Sequence, residues 1–172
     1  MPNFITSTFL EYPDNYSIAT IVYFSGCDRN CIGCHNTTLK EYSPLPDDIS
    51  NMIKSYCERL NTNKVVLCGG DPLYTKNLQK TKEIISTLTD FDVCIYTGFS
   101  VEEAKKTGIN GFKFIKCGFF DQTKFIGSKK TDDFLQFATS NQKLFDSNFK
   151  LLSNNGIYYF KKEDKNDESR NS

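Results

Sequence analysis

Residues 18–36 read IATIVYFSGCDRNCIGCHN. The opening run, Ile18 to Phe24, is apolar and rich in β-branched and aromatic residues, the composition of a buried strand. It stops at a polar loop. There Cys27, Cys31 and Cys34 fall within eight residues, behind Gly26 and ahead of His35, the chain's one histidine. A strand that runs into a thiol-rich loop predicts a site at its carboxyl end.

Outward from this stretch, Pro46 opens a helix. Ile49, Met52, Ile53, Tyr56, Cys57 and Leu60 recur along it at the spacing of one apolar face, with charges opposite. Lys64 to Cys68 (KVVLC) gives a second strand, closed by Gly69-Gly70. A second helix is expected over Asn77 to Leu88, with Leu78, Thr81, Ile84, Ile85 and Leu88 facing inward. Asp92 to Tyr96 gives a third strand, ended by Thr97-Gly98. Ser100 and Glu103 form a capping box that starts a third helix through Lys106, and Gly111 to Cys117 gives a fourth strand. This alternation predicts right-handed βαβ units on a parallel sheet, an α/β fold. After Gly118 the alternation lapses. Phe149 to Leu152 and Ile157 to Phe160 predict a short C-terminal hairpin turned at Asn155-Gly156. Residues 1–160 read as a single domain, and 161–172 (KKEDKNDESRNS) as a polar tail expected to be disordered. No internal repeat is visible.

A length of 172 residues suits about one domain. Lys plus Arg is 21 and Asp plus Glu is 21, and this balance argues against non-specific attraction to nucleic acid or an anionic membrane. No apolar run approaches the roughly 20 residues that cross a bilayer. The first residues, MPNFITSTFLEYPDN, lack the basic and apolar regions of a secretory signal. Of seven cysteines, three are clustered and four (Cys57, Cys68, Cys94, Cys117) stand alone in regular structure. That is not a disulfide framework. A reducing, cytoplasmic setting is expected, with the scattered four serving as small buried apolar residues.

The clustered thiols admit two metal readings. Cys31-x2-Cys34 has zinc-knuckle spacing, with His35 as a further ligand, but structural zinc takes its ligands as two separated pairs and no second pair is present. A [4Fe-4S] cluster takes four thiolates as a rule. Three leave one iron with an open position, able to chelate a small molecule that carries an amine and a carboxylate. The other strand ends supply surroundings for such a ligand: Gly69-Gly70-Asp71-Pro72, Thr97-Gly98 and Cys117-Gly118. In parallel α/β folds, ligands bind at the carboxyl ends of the strands, so these elements gather on one rim.

The CxxxCxxC loop after the first strand resembles the radical S-adenosylmethionine superfamily, and Gly69 to Pro72 resembles its GGEP-type motif. Finer features are similar to the activating enzymes of anaerobic ribonucleoside-triphosphate reductase, over about residues 17 to 146. These are Gly26-Cys27 through Cys34-His35-Asn36, GGDPL at Gly69 to Leu73, Tyr96-Thr97-Gly98, Ile115 to Phe120, and Ser140 to Phe145. There are departures. Asp14 to Ala19 supplies neither the glycine-rich turn nor the arginine usual before the first strand. Phe119 stands where many members have proline, and the segment between Asp121 and Asn141 is unusual.

The resemblance implies a partial, open (β/α) barrel of radical S-adenosylmethionine type, since a closed one takes ~250 residues. It implies a cluster on Cys27, Cys31 and Cys34, with S-adenosyl-L-methionine on the open iron and its amino group near Gly69, Gly70, Asp71 and Pro72. Read as residues, Thr97 and Gly98 either line the nucleoside pocket or simply end a strand, and Lys116 either reaches the carboxylate or the partner, or stays solvated. Asn141 and Gln142 would order the rim, with His35 packed behind the cluster. The implied activity is that of an oxidoreductase of the kind that activates formate C-acetyltransferase. Such an enzyme reductively cleaves S-adenosylmethionine to methionine and a 5′-deoxyadenosyl radical, which takes a hydrogen from a glycine of the reductase. The implied partners are that reductase and an electron donor such as flavodoxin, with no nucleic acid and no membrane. Two other readings stay open: another radical enzyme or activase on the same scaffold, and a structural metal-binding or electron-transfer module.

Overall fold

The computed structural model describes residues 4–15, 17–34 and 36–161. His35, and the expected tail from residue 162 onward, lie outside the described residues. Four parallel strands make the middle of the main sheet: β2 (Ala19–Phe24), β3 (Lys64–Gly69), β4 (Asp92–Tyr96) and β5 (Phe114–Cys117). Helices α1 (Ile49–Leu60), α2 (Thr75–Thr87) and α3 (Val101–Lys106) form the three crossovers. A strand absent from the sequence expectation, β1 (Ile5–Thr8), lies antiparallel to β2. At the far edge β8 (Lys143–Asp146) lies antiparallel to β5, giving the order β1-β2-β3-β4-β5-β8.

Strand side chains alternate between the two faces, and the faces are covered differently. Val22, Phe24, Val65, Leu67, Val93, Ile95 and Ile115 meet the helices, through Ile49 and Ile53 of α1, Ile84 and Ile85 of α2, and Ala104 of α3. All three helices therefore sit on one face. The other face carries Ile21, Val66, Cys68 and Cys94, with Tyr23, Tyr96 and Phe114 packed against them. It is covered by buried Tyr12 and by a small sheet of β6 (Lys129–Lys130), β7 (Phe134–Gln136) and β9 (Ile157–Tyr159). Leu135, Phe137 and Tyr158 from this region pack with Leu144 against Tyr96 and Phe114.

The capping box is present: Ser100 Oγ accepts from the Glu103 amide at 3.1 Å, and the Glu103 carboxylate accepts from the Ser100 amide at 2.8 Å. The four scattered cysteines are all buried and free. Several boundaries differ from expectation. Helix α1 starts at Ile49 and not at Pro46, which lies in the turn before it, its carbonyl accepting from the Ile49 amide at 3.1 Å. Helix α2 starts at Thr75, ahead of Asn77. Strand β5 starts at Phe114, because Gly111 turns at φ +84° and Phe112 is taken into the helix-side core. The C-terminal hairpin is reduced to its turn. Asn155 and Gly156 both have positive φ, and Asn154 and Ile157 exchange backbone bonds of 2.9 and 3.0 Å. The two arms then part. Leu151 and Leu152 return against β8, while the residues after the turn pair with β7. The physical reason is a second reversal just upstream, where the Asp146 carboxylate accepts from the Asn148 and Lys150 amides and folds 147–152 back onto β8.

Candidate functional site

The strand ends meet through close backbone approach. Gly69 sits at φ +109°, and a Cβ there would fall 2.4 Å from the Phe24 carbonyl oxygen. At Gly70 a Cβ would fall 2.6 Å from Gly26 O and 2.7 Å from Leu39 O. Only glycine fits at these two positions. The contact is then fixed by hydrogen bonds. The Gly70 amide donates to Phe24 O (2.7 Å), the Asp71 amide to Gly26 O (2.9 Å) and the Gly26 amide to Leu39 O (2.7 Å). Two asparagines hold the loop from either side. Asn36 Nδ2 donates to Gly69 O at 3.0 Å, and Asn77 Nδ2 donates to Ser25 O at 3.0 Å and Asp71 O at 2.9 Å.

Asp71 joins the second rim element to the third. Its side chain is 1% exposed, and both carboxylate oxygens are engaged. Oδ1 accepts from the Leu73 amide (2.9 Å) and Thr97 Oγ1 (2.8 Å), and Oδ2 accepts from the Gly98 amide (2.9 Å). Burial pushes its pKa up, against the pull of these donors and of Arg29. In this arrangement the carboxylate orders the Thr97-Gly98 turn, while the glycine backbone presents the open surface of the rim.

Cys27, Cys31 and Cys34 are free and half-buried, and all three line one cavity of about 420 Å³. Gly69, Gly70, Asp71, Thr97, Gly98, Lys116 and Gln142 line the same cavity. Pro72 does not; it is buried behind the rim, with its carbonyl accepting from Thr81 Oγ1 at 2.6 Å. Asn141 also stays off the lining and donates to the Phe119 carbonyl at 2.9 Å. Gln142 caps the Thr139 amide at 3.2 Å. Burial raises the Cys27 thiol, with the Arg29 backbone amide working the other way. Lys116 rises from β5 on the face away from the helices. Its ammonium lies 4.6 Å from the Tyr96 ring centroid and 5.8 Å from that of Phe137, a cation–π seat. Burial pulls its pKa down, while the buried Cys68, Cys94 and Cys117 thiols and Asp71 push it up.

Three free thiols on one cavity wall are the donor type that an iron-sulfur cluster takes. Among the described residues, no three His, Cys, Asp or Glu side chains are placed to hold one metal ion. Several functional neighbours carry little or no signature in the sequence. Asn36 and Asn77 hold the loop, Glu11 and Lys130 line the cavity from the second face, and Arg29 bonds to Glu103 across 74 positions. Asn36, directly after the cysteine–histidine pair, carried the one local hint.

The chain belongs to the family of 4Fe-4S single cluster domains, which matches residues 17–145, from just before β2 through most of β8. Within that class it is similar to the anaerobic ribonucleoside-triphosphate reductase-activating protein of Enterobacteria phage T4. The two are 26% identical over 98 residues, covering 50% of this chain and 60% of the phage protein. The chain thus spans less than two thirds of that curated relative. No solved structure matches it. Among the described residues, no helix is long and apolar enough to cross a membrane.

Proposed function

We propose that this protein is a radical S-adenosylmethionine activase that generates a glycyl radical on an anaerobic ribonucleoside-triphosphate reductase. One observation carries the reading: the three thiols of the iron-sulfur loop open onto the same cavity as the Gly69-Gly70 backbone, Thr97-Gly98 and Lys116. A partial barrel scaffold is supported by the placement of all three helices on one face of the sheet. The phage relative supports the choice of protein substrate.

In this reading Cys27, Cys31 and Cys34 hold a [4Fe-4S] cluster, which when bound supplies the electron that cleaves S-adenosylmethionine. The rest is positioning. The glycine pair lets a ligand's ammonium lie against bare backbone. Thr97 and Gly98, fixed by Asp71, form the floor beside it. Lys116, held on two aromatic rings, presents a cation to a carboxylate. Phe137 and the small sheet screen the cavity from water.

The test is anaerobic reconstitution with iron and sulfide, followed by dithionite reduction with S-adenosylmethionine. The expected result is a brown, reducible protein that releases 5′-deoxyadenosine. Mixing with a reductase that carries a C-terminal glycyl site should then give a glycyl-radical signal by electron paramagnetic resonance. A protein that binds zinc and forms no reducible cluster overturns the reading. Cleavage without a glycyl radical overturns the choice of partner and leaves another radical enzyme on the same scaffold.

A further inference from the structure

Arg29 lies between Cys27 and Cys31, where the cavity and a second, outer groove meet; its side chain lines both. It is held on three sides. Nη2 donates to Glu103 Oε2 at 2.6 Å, the guanidinium carbon lies 4.9 Å from the Phe99 ring centroid, and the Cδ methylene packs on Gly98. A Cβ at Gly98 would fall 3.0 Å from that methylene, so the absence of a side chain there makes room for the arginine. The Glu103 oxygen that takes Arg29 is also the one that accepts from the Ser100 amide. One carboxylate oxygen thus both caps α3 and holds the cysteine loop. On the other side of the same turn, Asp71 grips Thr97 and Gly98.

We propose that Arg29 is a positioning residue, clamping the cysteine loop through Glu103 and Phe99 onto the turn between β4 and α3 and so fixing where Cys27 and Cys31 stand. The backbone bonds that tie the loop to the rest of the chain lie near its two ends: the Gly26 and Cys27 amides to Leu39 O and Lys40 O, and the Asn36 side chain to Gly69 O. Between them, among the described residues, the Cys34 amide bonds within the loop to Cys31 O, and Gly33 faces the Phe120 and Gln122 side chains. In the middle of the loop, Arg29 adds a long-range ion pair made by a side chain. The planar guanidinium suits this role, because it stacks on an aromatic ring and bonds a carboxylate at the same time. The inference rests on the functional reading for its consequence, since a loop that wanders cannot hold a cluster in one geometry, but its geometry is independent of that reading.

The test measures amide hydrogen exchange in the full chain under anaerobic conditions, before and after reconstitution with iron and sulfide. Exchange reports local opening. Arg29→Met keeps the bulk and loses the charge, and Glu103→Gln keeps a capping acceptor. Each should speed exchange across residues 27–34 about fivefold, the size expected for one partly buried charged contact. Arg29→Lys, which retains the ion pair, should recover part of the protection. The double variant should open the loop no more than either single, because the two residues share one contact. A peptide across 81–96 should exchange as in the parent, showing that the fold holds. In the reconstituted protein, Glu103→Gln should blunt the change in the reduced cluster's paramagnetic resonance line shape on adding S-adenosylmethionine. Additive singles, or faster exchange confined to 100–106, would overturn the clamp. If the parent protein forms no cluster, the functional reading falls while the exchange result still decides the clamp.

Discussion

Asp71 offers the sharpest check on how the rim is built, through Asp71→Ala. The carboxylate receives the Leu73 amide, the Gly98 amide and the Thr97 hydroxyl in a site only 1% exposed. Truncation leaves the two amides without an acceptor, and the hydroxyl must turn elsewhere. Each stranded buried donor costs about 1–3 kcal/mol, so the two amides together cost about 2–6 kcal/mol before any relief. Relief comes from no longer burying a charge, which trims the net effect to roughly 2–4 kcal/mol. For a domain of this size that is a drop of about 10 °C in Tm, at 2–4 °C per kcal/mol. The assay is urea and thermal unfolding of the reduced protein, monitored by circular dichroism. The pH dependence gives a second handle. The Asp71 pKa is raised by burial, so the native state takes up a proton more readily than the unfolded chain. Its titration therefore favours folding below the ordinary aspartate pKa, and that contribution fades as pH rises through the raised value. Relative to Asp71→Asn, the parent should lose ground as pH rises above the ordinary aspartate range. A loss below 1 kcal/mol for Asp71→Ala, with no pH trend against Asp71→Asn, would refute the reasoning.

Three further outcomes follow from the same geometry. Gly70→Ala places a methyl 2.6 Å from Gly26 O and 2.7 Å from Leu39 O, both backbone atoms; unfolding should show a loss of about 2–3 kcal/mol from overpacking, along with weakened cluster retention in visible absorption. Lys116→Met removes the cation from its aromatic seat while keeping a flexible apolar chain there; Tm should stay within a few degrees while KM for S-adenosylmethionine rises at least about tenfold, more than kcat falls. At the opposite end of the strands, Asp92 bonds Lys64 at 3.5 Å and Lys113 at 3.3 Å, all partly exposed; Asp92→Asn should cost under about 1 kcal/mol in urea unfolding at low salt, and less as salt is added.

Elements whose cause is local were legible in the sequence. The apolar period of α1, the capping box of α3 and the β-branched runs of β2 to β4 each place themselves from neighbouring residues. The misses share a different cause. In β1 (ITST) only Ile5 is buried, and the strand exists because Ile5 pairs with Val22 and Thr8 with Ala19. The Asn155-Gly156 turn forms as its residues require, yet its arms go to β8 and β7, partners set by distant packing. The site divides in the same way. Glycines and cysteines at fixed spacing announce a loop that approaches backbone and holds metal. The Asp71 to Thr97 bond spans 26 positions and the Arg29 to Glu103 bond spans 74, and no local pattern announces either.

Those two long-range bonds explain how a short chain can keep a site that it builds from loops. The turn from Thr97 to Ser100 is gripped from the loop after β3 by Asp71 and from the cysteine loop by Arg29, and it leads directly into the capped start of α3. The cysteine loop is gripped in turn at its ends, through Gly26 and Asn36, and at its middle through Arg29. Each rim element is thereby positioned by at least one other, so none depends on the bound group alone for its place. A site assembled in this way pays its ordering entropy during folding, which leaves more of the ligand's interaction energy for binding and orientation. The same logic sets an order of sensitivity: loss of the grip at Asp71 should damage the fold first, and loss of the grip at Arg29 should loosen the thiols while the sheet stands.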